Sequence, residues 1–414
     1  DNNHSKFIGY RHLISESKIL KYRKVKIDNK TKFHLVLDKT PFYPESGGQV
    51  GDTGKLKGEN SQVNVLNTFK ENDLIIHLVD KLPDNLSDTL NAKINVSRRK
   101  LISKNHTATH LLHSALREIL GDHVVQKGSL VNDNILRFDF SHFSKLSKDE
   151  LKNINEIVNN KIFQNIDIET LENVPIVKAK KMGATALFGE KYGDKVRVVK
   201  FGDSVELCGG THVSSTAQIG KFIFITETAV AAGIRRIEAI TAAKADEYIN
   251  NELSLLNDVR VLFKNPKNLT KHLEGLLRQN SDLQKEIDKL LTDKAKNLKS
   301  ELLASSKNIN GVNFIASKIN LDSSDAIKNL AFQMRSEVDN LFMVLGAEVK
   351  GKPNLTVVVS ESLVKEKGLN AGAIIRELAK EIQGGGGGQP FYATAGGKNI
   401  SGLDNALEKA EALI

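Results

Sequence analysis

The sequence predicts an α+β protein in several parts: a small β-barrel, an α+β core, a long helical coiled-coil spacer and a C-terminal α/β globular domain. Three observations carry this. Residues 1–96 hold short apolar runs separated by Gly, Asn and Asp turns, the pattern of a small barrel. Residues 104–120 and 243–305 place apolar side chains at helical steps. After Gly311, strand-like and helix-like segments alternate. A chain of 414 residues with 40% hydrophobic and 26% charged residues has ordinary globular composition, which excludes a mostly disordered protein.

The expected strands of the barrel are Lys24–Ile27, Phe33–Leu37, Val63–Phe69 and Leu74–Val79. Lys104–Leu120 then lacks Gly and Pro, sets Ala108, Leu111, Leu112, Ala115, Leu116 and Ile119 on one helical face, and stops at Gly121. Strands Ile135–Phe140, Lys195–Phe201 and Phe222–Thr226 with a helix Ser147–Asn165 complete an α+β core. Residues 243–305 contain one Pro and one Gly; Leu273, Leu276, Leu283, Ile287 and Leu290 form a short heptad row with Asn280 in its seam. The last segment alternates strands Asn313–Ile319, Leu341–Glu348 and Leu355–Val359 with helices Ser324–Val338 and Ala371–Ile382. It ends in Gly384–Gly388 and a helix Leu403–Leu413. These readings divide the chain at 1–96, 97–242, 243–305 and 306–414.

No apolar run approaches the ~18 residues of a membrane span, and the single cysteine, Cys208, forbids an internal disulfide. Both point to a cytoplasmic protein without a membrane partner. The chain opens on Asp1 rather than Met, which reads as a piece of a longer protein. The net charge is +9, and residues 1–100 hold 18 Lys and Arg against 12 Asp and Glu. Arg98, Arg99, Lys100 and Lys104 form one basic cluster, and Lys18, Lys21, Arg23, Lys24 and Lys26 another. Such a face either attracts a polyanion such as nucleic acid or is simply solvated.

The strongest chemical signal is a pair of four-residue spacings. His106 and His110 stand at i and i+4 of the expected helix and so share a face. With His113 they lie about 180° from the leucine stripe. Cys208 and His212 flank Gly209-Gly210-Thr211, where glycine permits a tight turn. Three imidazoles and a thiolate suit tetrahedral Zn2+. The bland alternative is a set of unrelated histidines and a buried thiol. The motif lacks the Glu of H-E-x-x-H, which disfavours a zinc protease.

NHTATHLLHSALREILGDHVVQKGSLV (Asn105–Val131) and LRFDFSH (Leu136–His142) resemble the editing domain of alanyl-tRNA synthetases. So do TPFYPESGGQVGDTG (Thr40–Gly54), LFGEKYGDKVRVV (Leu187–Val199), ELCGGTHV (Glu206–Val213) and AAGIRRIEAITA (Ala231–Ala242). QGGGGGQPFYATAGG (Gln383–Gly397) is similar to the C-terminal DHHA1-type domain of that family, which DHH phosphoesterases share. The related threonyl-tRNA synthetase editing domain typically has Arg-Gly-Pro where Gly209-Gly210-Thr211 stand here. The resemblance implies a C-terminal fragment of the synthetase, with ATP used only by an N-terminal domain whose motifs are not seen. A free-standing long editing homologue is the alternative.

The implied reaction is hydrolysis of the ester joining serine or glycine to the 3′ adenosine of tRNA(Ala). An alanine pocket rejects these amino acids only weakly, so a second site must hydrogen-bond the serine hydroxyl. The resemblance makes Thr40 the candidate for that contact; the plain reading is a turn or strand residue before Pro41. Gln126 becomes a polar wall, and Gly47, Gly48 and Gln49, with Gly51, the pocket approach. One Zn2+ would be held by His106, His110, Cys208 and His212, either closed and structural or, with three ligands, open to water. No general base stands out, so the terminal ribose hydroxyl is the expected water-positioning group. Arg98, Arg99, Lys100, Arg235, Arg236, Gly386 and Lys398 are the expected tRNA contacts. The alternative for the Arg235–Arg236 pair is fixing Glu238 or Glu206. A homodimer through the spacer and C-terminal domain is a further expectation, and a non-catalytic tRNA-binding and dimerisation appendage is the competing function. A DHH phosphodiesterase is disfavoured because no Asp-His-His occurs.

Overall fold

A computed structural model describes residues 5–186, 192–321 and 323–414. Asp1–His4 and Leu187–Lys191, the start of one quoted stretch, lie outside these. The chain forms two compact units, one ending at Leu262 and the other spanning Phe263–Ile414. Among the described residues no helix is long and apolar enough to cross a membrane.

The first unit begins with nine strands: β1 (Lys6–Phe7), β2 (Ile14–Ser17), β3 (Ile19–Ile27), β4 (Lys30–Leu37), β5 (Lys39–Thr40), β6 (Gly54–Lys57), β7 (Gln62–Glu71), β8 (Leu74–Val79) and β9 (Leu90–Ile94). β1 pairs with β5; the other seven form one sheet in the order β2-β9-β6-β7-β8-β4-β3. Two-residue hairpin turns at Asp28-Asn29 and Asn72-Asp73 put all four residues at positive φ, which Asn and Asp tolerate. Alternate residues Leu35, Leu37, Leu56, Val63, Val65 and Ala92 close over Phe42 as a core. The expected barrel is not closed by a ladder. β2 and β3 stand at opposite edges of the order, yet they are consecutive in the chain and meet at Lys18. There Lys18 N donates to Asp38 Oδ1 and Asp38 N donates to Lys18 O, so chain continuity replaces the missing strand pair.

Helix α1 (Val96–Leu120) follows directly, eight residues earlier than the apolar pattern indicates, because Asn95 caps it by accepting from Arg98 N. Next come β10 (Gln126–Val131), β11 (Leu136–Ser141), α2 (Lys148–Phe163), β12 (Glu169–Pro175), α3 (Ile176–Lys181), β13 (Lys195–Phe201), β14 (Ser204–Leu207), β15 (Phe222–Ala231), β16 (Ile234–Thr241) and α4 (Ala242–Leu262). The α2 start is a capping box, Ser147 with Glu150. An antiparallel sheet β10-β11-β16-β15 and a three-stranded sheet β12-β13-β14 result. The leucine stripe of α1 packs with Phe138, Phe140, Ile154 and Val158. The opposite face of α1 is buried too, so the helix is enclosed on both sides. The 46–51 loop is laced to β10 by Val50 N donating to Val131 O and Val131 N to Gly48 O.

The second unit opens with α5 (Leu269–Ala304). Leu276, Leu283, Ile287 and Leu290 of the heptad row are exposed. Its C-terminal turn is anchored by buried Leu302. There follow β17 (Lys307–Ile309), β18 (Val312–Ile319), α6 (Ser324–Glu337), β19 (Leu341–Val349), β20 (Lys352–Val359), α7 (Glu361–Glu366), α8 (Ala371–Leu378), β21 (Gly385–Gln389), β22 (Tyr392–Gly396) and α9 (Gly402–Glu411). The sheet runs β17-β18-β19-β20-β22-β21, with only β18 and β19 parallel, joined through α6 as a parallel pair requires. Apolar clusters cover both of its faces. The glycine run is an edge strand in which a side chain at Gly386 or Gly388 would strike β22.

Candidate metal centre and its two cavities

His106 and His110 come from one face of α1, and Cys208 and His212 from the loop after β14. One donor atom from each lies within 4.8 Å of the others. Cys208 Sγ is 3.5 Å from His106 Nε2 and 3.2 Å from His212 Nε2. A tetrahedral ion with Zn–S of about 2.3 Å and Zn–N of about 2.0 Å holds S and N about 3.5 Å apart. The loop approaches this closely because Gly210 carries no side chain: a Cβ there would lie 2.0 Å from His106 Cε1. Its backbone is held by side chains. Thr211 N donates to Gln49 Oε1, Val213 N to Thr107 Oγ1, and Arg197 Nη1 donates to the carbonyls of Cys208 and Gly210.

The hydrogen bonds fix the histidine tautomers. His106 Nδ1 donates to Gln49 Oε1 at 2.7 Å. Thr107 Oγ1 donates to Ser103 O, so it accepts from His212 Nδ1 at 3.1 Å. His110 Nε2 lies 3.3 Å from Glu206 Oε2, and its Nδ1 is buried without a hydrogen-bond partner. Each ring therefore keeps one lone pair for an ion, and the second nitrogen is oriented by a neighbour. Burial holds His106 and His212 well below the usual histidine range; neighbouring imidazoles and Arg197 push the same way. Burial also lowers His110, against the opposing pull of Glu206. Neutral imidazoles are the form that ligates. The donor set fits Zn2+.

His106, His110 and Cys208 line a polar cavity of about 250 Å³, together with Thr109, Gln126 and Gly47. Gln126 Nε2 donates to Ser129 Oγ at 2.9 Å. Thr109 Oγ1 donates to Asn105 O at 2.9 Å, which leaves its oxygen facing the cavity as an acceptor. Thr40 is not in this wall. It is fully buried, its hydroxyl 2.8 Å from His77 Nε2 and accepting from Phe42 N. The hydroxyl expected to contact serine thus meets His77 Nε2 and Phe42 N here. Gln49 is likewise behind the wall, holding His106 and Thr211. A Cβ on Gly48, at φ +83, would strike Ser129, and one on Gly51 would strike Thr68 O. His113 donates to Glu206 Oε1 at 3.0 Å and lies outside the cavity wall.

Most of the expected phosphate contacts are occupied inside the fold. Arg99 is buried, bonded to both Asp52 oxygens and to the carbonyls of Gly9 and Pro41. Arg98 pairs with Asp133 and Gly51 O. Arg235 pairs with Glu227, and Arg236 is bidentate on Asp139. The acids are thus neither Glu238 nor Glu206. Lys100 alone of this set in the first unit stays exposed and lines a second cavity, of about 940 Å³. Gly386 and exposed Lys398 belong to the other unit. Residues missed by sequence reading are Thr109, Glu206 and Arg197. Thr109 carried a usable signal, since it stands three residues after His106 on the same helical face.

Residues 196–238 match the family described as Threonyl and Alanyl tRNA synthetase second additional domain, and residues 311–414 match the DHHA1 domain. Residues 1–99 match tRNA synthetases class II (A), in a region the motifs alone assign to editing. Alanine–tRNA ligase of Cytophaga hutchinsonii is 52% identical over 100% of this chain and 47% of its own length. That of Christiangramia forsetii is 51% identical over 99% and 47%, and that of Bacteroides fragilis 47% over 98% and 46%. The chain thus spans about half the length of these relatives. The crystal structure of the C-Ala domain from Aquifex aeolicus alanyl-tRNA synthetase aligns at 23% identity and TM-score 0.25, covering 26% of this chain and 96% of that one. The chain belongs to the alanyl-tRNA synthetase family, to the part of it that carries the second additional domain and the DHHA1 domain.

Proposed function

We propose that this chain hydrolyses the ester of seryl- or glycyl-tRNA(Ala), as an editing aminoacyl-tRNA deacylase. The observation that carries the reading is the clustering of three imidazoles and a thiol beside a cavity whose wall holds two of those imidazoles and the thiol together with Thr109 and Gln126. About 250 Å³ is below the usual 300–1,000 Å³ of a drug-sized pocket, which suits an aminoacyl end rather than a whole nucleotide. The Thr109 oxygen, already a donor to Asn105 O, accepts a hydrogen bond from the serine hydroxyl, and alanine leaves it unmet. Gln126 orients the ester from the opposite wall.

His106, His110, Cys208 and His212 would hold one Zn2+, and four protein donors support a closed ion. Bound there, zinc supplies positive charge that fixes the acceptor end and polarises nearby oxygens. The attacking water is positioned by the terminal ribose 2′-hydroxyl, since among the described residues the carboxylate in the cavity wall, Glu206, is engaged by His110 and His113. On this reading residues 1–242 form the editing part. Residues 243–305 are the spacer, and 306–414 bind the tRNA body and mediate dimerisation, in a cytoplasmic protein.

The test is hydrolysis of seryl-tRNA(Ala) beside alanyl-tRNA(Ala) by the purified chain. Loss of the seryl ester with the alanyl ester spared is expected. Tight tRNA binding with neither ester cleaved would leave a binding appendage instead. A 3′-charged, 2′-deoxy terminal adenosine should react much more slowly, and equal rates would remove the ribose hydroxyl from the mechanism.

A further inference from the structure

The loop that carries two of the four metal donors is tied down by a side chain from the start of the chain. Two glycines stand between Cys208 and His212, and glycine backbone loses the most freedom on ordering. Three successive carbonyls of this loop are nonetheless each met by a donor. Arg197 Nη1 donates to Cys208 O and to Gly210 O, both at 2.9 Å, and the Tyr10 hydroxyl donates to Gly209 O. The two donors also hold each other. The Arg197 guanidinium lies 4.2 Å from the centre of the Tyr10 ring, within cation–π reach. On the side that a Cβ would occupy, Gly209 meets only the Tyr10 hydroxyl within 4 Å among the described residues.

Tyr10 reaches the loop across 199 residues, on a short strap. β1 pairs with β5, and Ile8 N donates to Thr40 O. The chain then turns, with Arg11 N and His12 N both donating to Ile8 O. Gly9 lets the turn lie close to the protein: a Cβ there would be 2.2 Å from Pro41 O. Its carbonyl accepts from Arg99, which comes from α1. The strap is therefore anchored on β5 and α1 before it reaches the donor loop. The Phe7 ring meets the Tyr10 ring edge-on, with centroids 4.9 Å apart. Beyond Tyr10 the hold is light, since Arg11 and Glu172 are both exposed and 3.6 Å apart.

We propose that Tyr10 is a latch on the metal centre: a positioning residue that holds the loop between Cys208 and His212 shut, so that the loop opens and an ion leaves when the Tyr10 contacts break. The inference rests on the zinc assignment above and is independent of the hydrolytic reading. The latch has two separable parts. The hydroxyl holds Gly209, and the ring holds Arg197, which in turn holds Cys208 and Gly210. Removing the hydroxyl alone loosens one carbonyl, and removing the whole side chain loosens three.

The test compares the full wild-type chain with Y10F, Y10A and Y22F, in which the control tyrosine is an exposed one on β3. Zinc release from the loaded chain is timed with an excess of chelating dye. Amide hydrogen exchange of residues 206–213 is followed by mass spectrometry in the metal-free chain, with urea midpoints taken on the same samples. Y10F should speed both release and exchange by about 3- to 10-fold, the contribution of one net hydrogen bond. Y10A should speed them by about 10- to 100-fold, the usual loss for an outer contact of a metal site. Y22F should change either by less than about twofold. The urea midpoint of metal-free Y10F should stay within about 0.3 M of wild type, which separates a latch from general loosening. Wild-type release and exchange in Y10A overturn the proposal. So does exchange that rises evenly across the first unit in Y10F, or faster exchange without faster zinc release. A wild-type chain that takes up no zinc sinks the metal assignment, and the exchange of 206–213 then decides alone whether Tyr10 holds the loop. Faster release and exchange in Y10F, in a chain that cleaves no ester, keep the latch and remove the hydrolytic reading.

Discussion

Replacing Arg99 by Met separates the two roles open to a basic residue in this family. Its side chain is 6% exposed and that of Asp52 is 2% exposed. Burial draws the guanidinium down to about 10, so it stays charged at neutral pH. In R99M the Asp52 carboxylate keeps only the Tyr43 N–H at 2.8 Å, and the Gly9 and Pro41 carbonyls lose their donor. Removing one partner of a buried pair costs about 3–5 kcal/mol. With an m-value of about 3 kcal/mol per molar urea, a loss of about 4 kcal/mol lowers the midpoint by about 1.3 M. Five of the six tyrosines, at positions 10, 22, 43, 192 and 248, lie in the first unit, so tyrosine fluorescence reports its unfolding. The double variant R99M/D52N should cost less than the sum of the two single changes, by at least about 1 kcal/mol. A midpoint shift under about 0.3 M, together with weaker RNA binding and a shallower salt slope, would return Arg99 to the RNA surface and refute the argument.

T109V should lower kcat/KM on seryl-tRNA(Ala) by about 10- to 100-fold while hydrolysis of the glycyl ester changes little; T40V should leave the seryl rate of the folded protein intact and cost about 1–3 kcal/mol in urea unfolding, because His77 Nε2 loses its partner. C208S should lower zinc stoichiometry by atomic emission and destabilise the first unit, whereas a full zinc complement in C208S would exclude the thiolate as a ligand. Q49A should weaken zinc about 10- to 100-fold, measured by competition with a chelating dye, since it frees His106 Nδ1 and strands Thr211 N. Burial lowers His77 to about 4 in the fold, from 6.5 in the unfolded chain. Its contribution is therefore complete above pH 6.5 and is lost as pH falls from 6.5 toward 4, by about 3 kcal/mol in all. H77Q should show a smaller fall in urea midpoint over that range, and an unchanged slope would mean His77 is not held neutral.

What was legible in the sequence was local. The i, i+4 histidines on an uninterrupted helix and a Cys and a His four apart around two glycines define short-range geometry, and the structure brings all four together. The two-residue Asp and Asn turns announce β3–β4 and β7–β8 in the same way. The start of α1 was hidden because Arg98, Arg99 and Lys100 interrupt the apolar pattern, although Asn95 supplies the cap. Barrel closure was illegible for a different reason. A strand that bends at Lys18 reads as one β segment, and only long-range pairing shows its halves at opposite sheet edges.

The functional roles were less legible for one reason: a side chain's partners can lie far away in the chain. Arg99 meets Asp52 across 47 residues and Arg236 meets Asp139 across 97, so a basic cluster read along the sequence overstates the positive charge left free. Gln49 makes the same point for the site. Its carbonyl accepts from His106 and from Thr211 N while its amide donates to Thr211 Oγ1 across 162 residues. A residue expected to touch substrate thus joins the ligand helix to the ligand loop. Since a loose ligand pair binds metal poorly, the precision of the quartet depends on this glutamine as much as on the four donors. Of the Ser-Gly-Gly-Gln stretch, Ser46 and Gly47 thus stand in the cavity wall while Gln49 braces the two donor segments from behind.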